Sequence, residues 1–243
     1  MIIIKVSATA SANSFAREWC QSNKNLTPTC IHALDQISGR GQRGASWLSN
    51  AGENLTFSVI YPNPEVSVQS QFVLSAGVGL ALLDALNELK INNLMLKWPN
   101  DIMAENFKIG GILIENILNS GKIETTIIGV GLNVNQLVFS GLPKAASLKS
   151  LTQRDFDTET VLERILEHLE KFLKSLSKTP EAEILSRYEK ELFRKNKAST
   201  FQLPDGNLLT GIIKGVTPAG LLKVQMEDDS IKIFELKQLK LLF

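Results

Sequence analysis

Hydrophobic and polar positions divide the chain into short alternating runs and longer helical ones. Residues 2–6 read as a strand. Ser11 stands as an N-cap for a helix reaching about residue 21, with Phe15, Ala16, Trp19 and Cys20 on its apolar face. Residues 29–35 alternate as a strand, and His32 inside it reads as a packed or edge histidine. A further strand over 55–60 ends at Tyr61-Pro62-Asn63-Pro64. Residues 67–90 form a long helix with Phe72, Ala76, Leu80, Leu83 and Leu86 on one face. Gly77 and Gly79 cost that helix stability, so they imply close approach to a sheet.

The second half starts with a hairpin. A strand ends at Lys97-Trp98-Pro99-Asn100-Asp101, a turn falls at 104–106, and a second strand runs over 108–115. This pairing sets Asp101 roughly opposite Lys108. Residues 123–130 are rich in β-formers. An amphipathic helix over 157–176 carries Val161, Leu162, Ile165, Leu166, Leu169, Phe172, Leu173 and Leu176, with His168 on its solvated flank. Thr179-Pro180 starts another helix with proline at its first position. From about residue 195 the rhythm changes to β-like runs at 199–203, 209–216, 221–226 and 231–236, separated by turn residues. The expected division is therefore 1–194 and a small all-β domain over 195–243.

Composition narrows the function classes. A formal net charge of +1 argues against a dedicated nucleic-acid binder. Two cysteines, Cys20 and Cys30, make no disulfide framework, and no Cys/His spacing suggests zinc. The N-terminal apolar run is too short for a signal peptide, and no apolar run reaches the ~18 residues of a membrane span. A cytoplasmic protein without membrane association is expected.

Three stretches carry chemistry. Ser38-Gly39-Arg40-Gly41-Gln42-Arg43-Gly44-Ala45-Ser46-Trp47 is too polar and glycine-rich for core. Its glycines let backbone wrap a ligand, its arginines suit carboxylates and phosphates, and Trp47 offers a stacking surface. A flexible linker or a non-specific nucleic-acid loop has the same composition. The Gly-Lys-[Ser/Thr] ending of a P-loop is absent. In the hairpin, Lys108 precedes Gly110-Gly111, which clear space on the sheet beside it; a plain cross-strand ion pair with Asp101 is the simpler alternative. Gly129-Val130-Gly131-Leu132-Asn133 leaves one strand face bare for a flat ligand, with Asn133 as a polar contact.

In this order, Gly39-Arg40-Gly41-Gln42-Arg43-Gly44 with Trp47, Lys97-Trp98-Pro99-Asn100-Asp101, Lys108-Ile109-Gly110-Gly111-Ile112-Leu113-Ile114-Glu115 and Gly129-Val130-Gly131-Leu132-Asn133 resemble the biotin protein ligases over nearly the whole chain. The resemblance implies an α+β catalytic domain related to class II aminoacyl-tRNA synthetases, a mixed sheet with helices mainly on one face, followed by a C-terminal SH3-like barrel. It also implies two steps. Biotin's carboxylate attacks the α-phosphate of MgATP to give biotinyl-5′-AMP, and a lysine of a biotin carboxyl carrier protein then takes the biotinyl group.

By the same resemblance, Lys108 supplies the charge where carboxylate and α-phosphate meet, and Arg40 closes the clamp. Lys97 and Asp101 help orient the attacking lysine. Ser11, Ala12, Asn13, Gln36, Gly39, Arg40, Gly41, Gln42, Lys108, Gly111, Gly129 and Gly131 line the biotin site. Arg40, Arg43, Trp47, Asn100, Asp101, Lys108 and Asn133 serve the nucleotide. No protein-held metal is expected besides the magnesium of MgATP.

Three departures stand out. Ala10-Ser11-Ala12-Asn13 replaces the Asp-Ser-Thr-Asn of many relatives, which bears on biotin affinity. Gln42 replaces a third clamp arginine. The N-terminal DNA-binding domain of repressor-type ligases is not expected, so neither is sequence-specific DNA binding. A monomer or weak homodimer is expected. Lipoate-protein ligase is the rival within the same chemistry, and a non-catalytic nucleic-acid-binding protein using the Arg/Gly loop is the rival outside it.

Overall fold

The computed structural model of the chain describes residues 1–243, the side chain of Arg43 excepted. Its main sheet has seven strands in the order β1-β2-β5-β9-β8-β7-β6. These are β1 (Ile2–Val6), β2 (Thr29–Ala33), β5 (Leu55–Pro62), β6 (Leu94–Lys97), β7 (Asp101–Ala104), β8 (Phe107–Asn119) and β9 (Lys122–Leu132). Only the β1–β2 pair is parallel, so the sheet is mixed. Two short strands, β3 (Gly39–Arg40) and β4 (Ser46–Trp47), pair across a 3₁₀ turn at Gln42–Gly44. The Gly/Arg segment is thus a small hairpin.

Alternation in the strands decides what lies on each face. Cys30, Leu55, Phe57, Val59, Ile128, Val130 and Leu132 point into the large core with α2 (Gln71–Glu88), α4 (Thr158–Ser175) and α5 (Glu181–Lys190). Ile31, Ile60 and Ile127 point the other way, against α1 (Ala12–Ser22). Three of the long helices therefore share one face, and α1 covers the other. α2 is apolar enough along 68–88 to cross a membrane by length and composition, but twelve of its residues are buried in this core. Gly77 and Gly79 explain its close packing. A Cβ at Gly77 would run into the Phe172 ring of α4, and one at Gly79 would press on Leu96 of β6.

The C-terminal segment folds as a five-stranded antiparallel sheet in the order β13-β12-β11-β10-β14. Its strands are β10 (Ala198–Gln202), β11 (Leu208–Val216), β12 (Leu222–Gln225), β13 (Ile231–Phe234) and β14 (Lys240–Leu242). The edges β13 and β14 do not pair, so the sheet is open where a closed barrel was expected. Trp98 Nε1 donates to the Gly220 carbonyl at 2.8 Å, and Val216 N donates to Glu189 Oε1 of α5 at 2.8 Å, which tie this sheet to the rest.

Smaller expectations are corrected. His168 is not a solvated residue; its Nε2 lies 2.9 Å from Glu88 Oε1 and its side chain is largely covered. Pro180 occupies the N-cap of α5 rather than its first turn. A short helix, α3 (Leu148–Thr152), and strand β14 lie outside the expected elements. His32 is packed as expected, buried with Nδ1 3.7 Å from Glu159.

Candidate active site

On the α1 face of the sheet, glycines leave a hollow. Gly129 and Gly131 of β9 lie beside Gly111 of β8, with Gly111 and Gly131 direct partners. Three side chains occupy the cleared space. A Cβ at Gly129 would collide with the Asn13 amide, one at Gly131 with the Trp47 indole, and one at Gly111 would touch Lys108 Nζ and Trp47. The result is a cavity of about 210 Å³ between the start of α1, the β3–β4 hairpin and the sheet.

Its lining includes Ser11, Ala12, Asn13 and Gln36 at one end. Arg40, Gly41, Gln42 and Trp47 form the hairpin side. Asn100, Asp101, Lys108, Gly111, Gly129 and Gly131 form the sheet side. Gly39, Lys97 and Asn133 stand outside this lining. The side chain of Arg43 lies outside the described residues. Gly39 is spent on packing, because a Cβ there would meet the Gln36 amide and the Trp47 carbonyl. Asn133 is buried and donates to the Ala146 carbonyl at 3.0 Å, so it fixes the loop ahead of α3. Asn100 donates to the Ile112 carbonyl at 2.7 Å, and this locks the β7–β8 pairing beside the cavity.

The start of α1 is held from below. Ser11 caps the helix by conformation, without a side-chain cap bond. Gln36 Oε1 instead accepts from Ala12 N at 2.9 Å, so one free helix N–H is satisfied by a residue from the next segment. Asn13 makes three contacts. Its Nδ2 donates to Glu115 Oε2 at 2.8 Å and to the Leu113 carbonyl at 3.2 Å, and its Oδ1 accepts from Ser58 Oγ at 2.6 Å. Glu115 also faces Arg40 at 3.4 Å and Arg17 at 3.6 Å.

Charge concentrates at Asp101. Lys108 Nζ lies 2.6 Å from its Oδ1 and Lys97 Nζ 2.7 Å from its Oδ2. The expected cross-strand pair is formed, though not through direct register. Asp101 pairs with Gly111 and Met103 with Lys108, with an irregularity between Ile102 and Met103. Burial pushes the Asp101 carboxyl up, but the two lysines outweigh it and hold the carboxyl below its ordinary value. Two ammonium groups and one carboxylate leave the cluster with a net positive charge. Lys108 also lies 5.8 Å from the Trp47 ring, within reach of a cation–π contact. The Trp47 Nε1 is buried with no partner among the described residues.

A second cavity of about 750 Å³ opens between this cluster and the C-terminal sheet. It shares Gln42, Ala45, Asn100, Asp101 and Lys108 with the first. Lys97, Lys144 and Lys240 bring further positive charge, and Trp98, Phe193 and Phe243 bring aromatic surface. Lys97 and Lys144 lie 5.6 and 5.3 Å from the Phe243 ring. Lys108 and Asp101 therefore stand at the seam between two hollows.

Ser58, Glu115 and Arg17 were not among the expected site residues. Signals existed for two of them. Ser58 is a hydroxyl inside an apolar strand, and Glu115 follows Gly111 and Leu113 at period two, on the face the glycines leave bare.

Among known proteins, residues 7–133 match the model of the biotin/lipoate A/B protein ligase family. A biotin–[acetyl-CoA-carboxylase] ligase of Mycobacterium tuberculosis is 29% identical over 89% of this chain and 80% of its own length. The bifunctional ligase/repressor BirA of Escherichia coli is 26% identical over 82% of this chain and 61% of its own length. The structure of the biotin protein ligase from Aquifex aeolicus in complex with biotin and ATP superimposes with a TM-score of 0.82 at 26% identity. That match covers 99% of this chain and 98% of the other. With the family model covering more than half of its length, including the glycine-lined hollow and the Arg/Gly hairpin, the chain belongs to the biotin/lipoate A/B protein ligase family.

Proposed function

We infer that the chain is an ATP-dependent biotin protein ligase, which activates biotin as biotinyl-5′-AMP and transfers it to a lysine of a biotin carboxyl carrier protein. The observation that carries the reading is the position of Lys108 and Asp101 at the seam of two adjoining cavities. The first step drives one anion onto another, so it needs fixed positive charge where the two reactants meet. The net-positive Asp101–Lys97–Lys108 cluster supplies it. When Lys108 turns toward the reacting carboxylate and α-phosphate, Lys97 remains to compensate Asp101. The small hollow, bounded by the α1 start, the Trp47 indole and the glycine-bearing strands, suits the bicyclic ring of biotin. The larger, lysine-lined one suits a phosphorylated reactant.

Arg40, which lines the first cavity from the hairpin, is proposed to clamp the adenylate, and the resemblance assigns Arg43 to the same task. Trp47, Asn100 and Asn133 are assigned to the nucleotide by that resemblance; of these, Trp47 and Asn100 line the first cavity and Asn133 does not. In the second step Asp101 and Lys97 border the second cavity, from which an acceptor lysine would approach the adenylate. Magnesium would enter bound to the triphosphate. Among the described residues no group of three His, Cys, Asp or Glu could hold a metal ion, and Asp101 is already bonded to two lysines. No step is assigned to a protein-held metal.

The C-terminal sheet is proposed as the small SH3-like unit of this family, with the boundary near residue 195. We propose a cytoplasmic monomer or weak homodimer that neither binds DNA sequence-specifically nor associates with a membrane. The test is transfer. Purified protein, ATP, magnesium and biotin should label a biotin carboxyl carrier domain on one lysine, seen by avidin blot. Labelling of a lipoyl domain by lipoate instead would assign the chain to the other branch of the family.

A further inference from the structure

We propose that Glu115 is a positioning residue that sets which atom of Asn13 faces the ligand, and so sets the preference for a ligand that donates an N–H there. The proposal rests on the biotin reading above and deepens it. Asn13 is buried, lines the cavity and takes the space left by Gly129. An amide side chain can present either oxygen or NH₂, and its partners decide which. The Glu115 carboxylate at 2.8 Å and the Leu113 carbonyl at 3.2 Å are both acceptors, so they require the NH₂ end and use both of its protons. The oxygen is thereby turned to Ser58, whose hydroxyl takes one lone pair. Its second lone pair has no donor among the described residues. A buried oxygen with spare accepting capacity, in a hollow built for a flat ring, fits a cyclic urea N–H.

Glu115 is held in turn by Arg17 at 3.6 Å and Arg40 at 3.4 Å, contacts longer than the one to Asn13. Arg40 can leave for a ligand carboxylate while Arg17 and Asn13 keep Glu115 compensated. The orientation of Asn13 therefore survives closure of the clamp. Without Glu115, the Leu113 carbonyl at 3.2 Å would be the one obligate acceptor left to orient the amide, since the Ser58 hydroxyl can donate or accept.

The experiment compares wild type, Glu115→Ala, Glu115→Gln, Asn13→Leu and the double variant Glu115→Ala/Asn13→Leu. It measures KM and kcat in biotin-dependent pyrophosphate exchange, and calorimetric binding of biotin and of biotin methylated at either ureido nitrogen. Glu115→Ala should raise KM about tenfold, the size expected when a buried ligand N–H is left without its acceptor, with kcat little changed. It should also lose most of the wild-type preference for biotin over one of the two methylated analogues. Glu115→Gln, which keeps an acceptor toward Asn13, should restore that preference. The double variant should be no worse than Asn13→Leu alone, because both act through one oxygen. A KM for Glu115→Ala within twofold of wild type, an unchanged analogue preference, or additive effects in the double variant would overturn the proposal while leaving the biotin reading intact. Absence of biotin binding by the wild type would overturn both.

Discussion

Lys108 is bonded to Asp101 in the free protein, so the catalytic role proposed for it requires exchanging that partner for substrate. Lys108→Ala leaves Asp101 with Lys97 and should preserve the fold. Loss of one charge-assisted contact at a developing charge costs ~2.7–4 kcal/mol, so adenylation should slow roughly a hundred- to a thousand-fold. Single-turnover formation of biotinyl-5′-AMP checks this, and a rate within a few-fold of wild type would leave Lys108 a structural ion-pair residue. Gln42 lines both cavities and lacks the charge of an arginine. A hydrogen bond to a charged group exceeds a neutral one by about 1 kcal/mol. Gln42→Arg should therefore slow release of preformed adenylate several-fold with the adenylation rate nearly unchanged, as read by a chase without carrier.

A third residue reports on stability. Burial holds the His32 imidazole below its ordinary 6.5, with Glu159 opposing and Lys5 assisting. Between the two values the unfolded chain binds more protons, so stability falls as pH drops below about 6.5 and levels off under the folded value. His32→Gln should show a shallower loss in urea midpoint between about pH 7 and about pH 5. At this scale the sequence was most readable in placement, as for the lysine beside paired glycines, which the fold sets in the wall of both cavities. Asn133 was less readable, because an amide near a glycine pair serves a ligand or a loop carbonyl equally well, and only the fold brings Ala146 to its Nδ2.

Helices and strands were legible where their hydrophobic period is long. α4 and α2 lie within a few residues of their expected bounds, since both bury a continuous apolar surface. The elements that were not legible are short and depend on distant partners. β14 has three residues and exists by pairing with β10, about forty residues earlier in the chain. α3 is five residues long, held by a Ser147–Ser150 capping box instead of the Ser-to-Glu form that marks a helix start. The hairpin carrying Asp101 and Lys108 was visible, but its irregular register was not, because a bulge leaves no hydrophobic signature. The α2–α4 contact offers a test of packing separate from catalysis. Gly77→Ala would drive a methyl into the Phe172 ring. Overpacking of that kind costs ~1–3 kcal/mol, so the urea midpoint should fall while exchange activity per folded molecule stays near wild type. A midpoint equal to wild type would mean that Phe172, half-buried at the edge of the core, simply turns aside.

The molecule as a whole places a small glycine-lined hollow and a larger cationic one on either side of a single lysine–aspartate cluster, with the C-terminal sheet walling the second. The C-terminal β character was readable from evenly spaced turns, whereas barrel closure was not, since closure depends on how the edge strands meet in space. The arrangement predicts that biotin and ATP react directly with each other on this chain before any acceptor is present. The most direct test is exchange of labelled pyrophosphate into ATP, with magnesium and without carrier protein. The expected result is exchange that requires biotin and does not respond to lipoate. Exchange driven by lipoate, or none with either acid, would contradict the account.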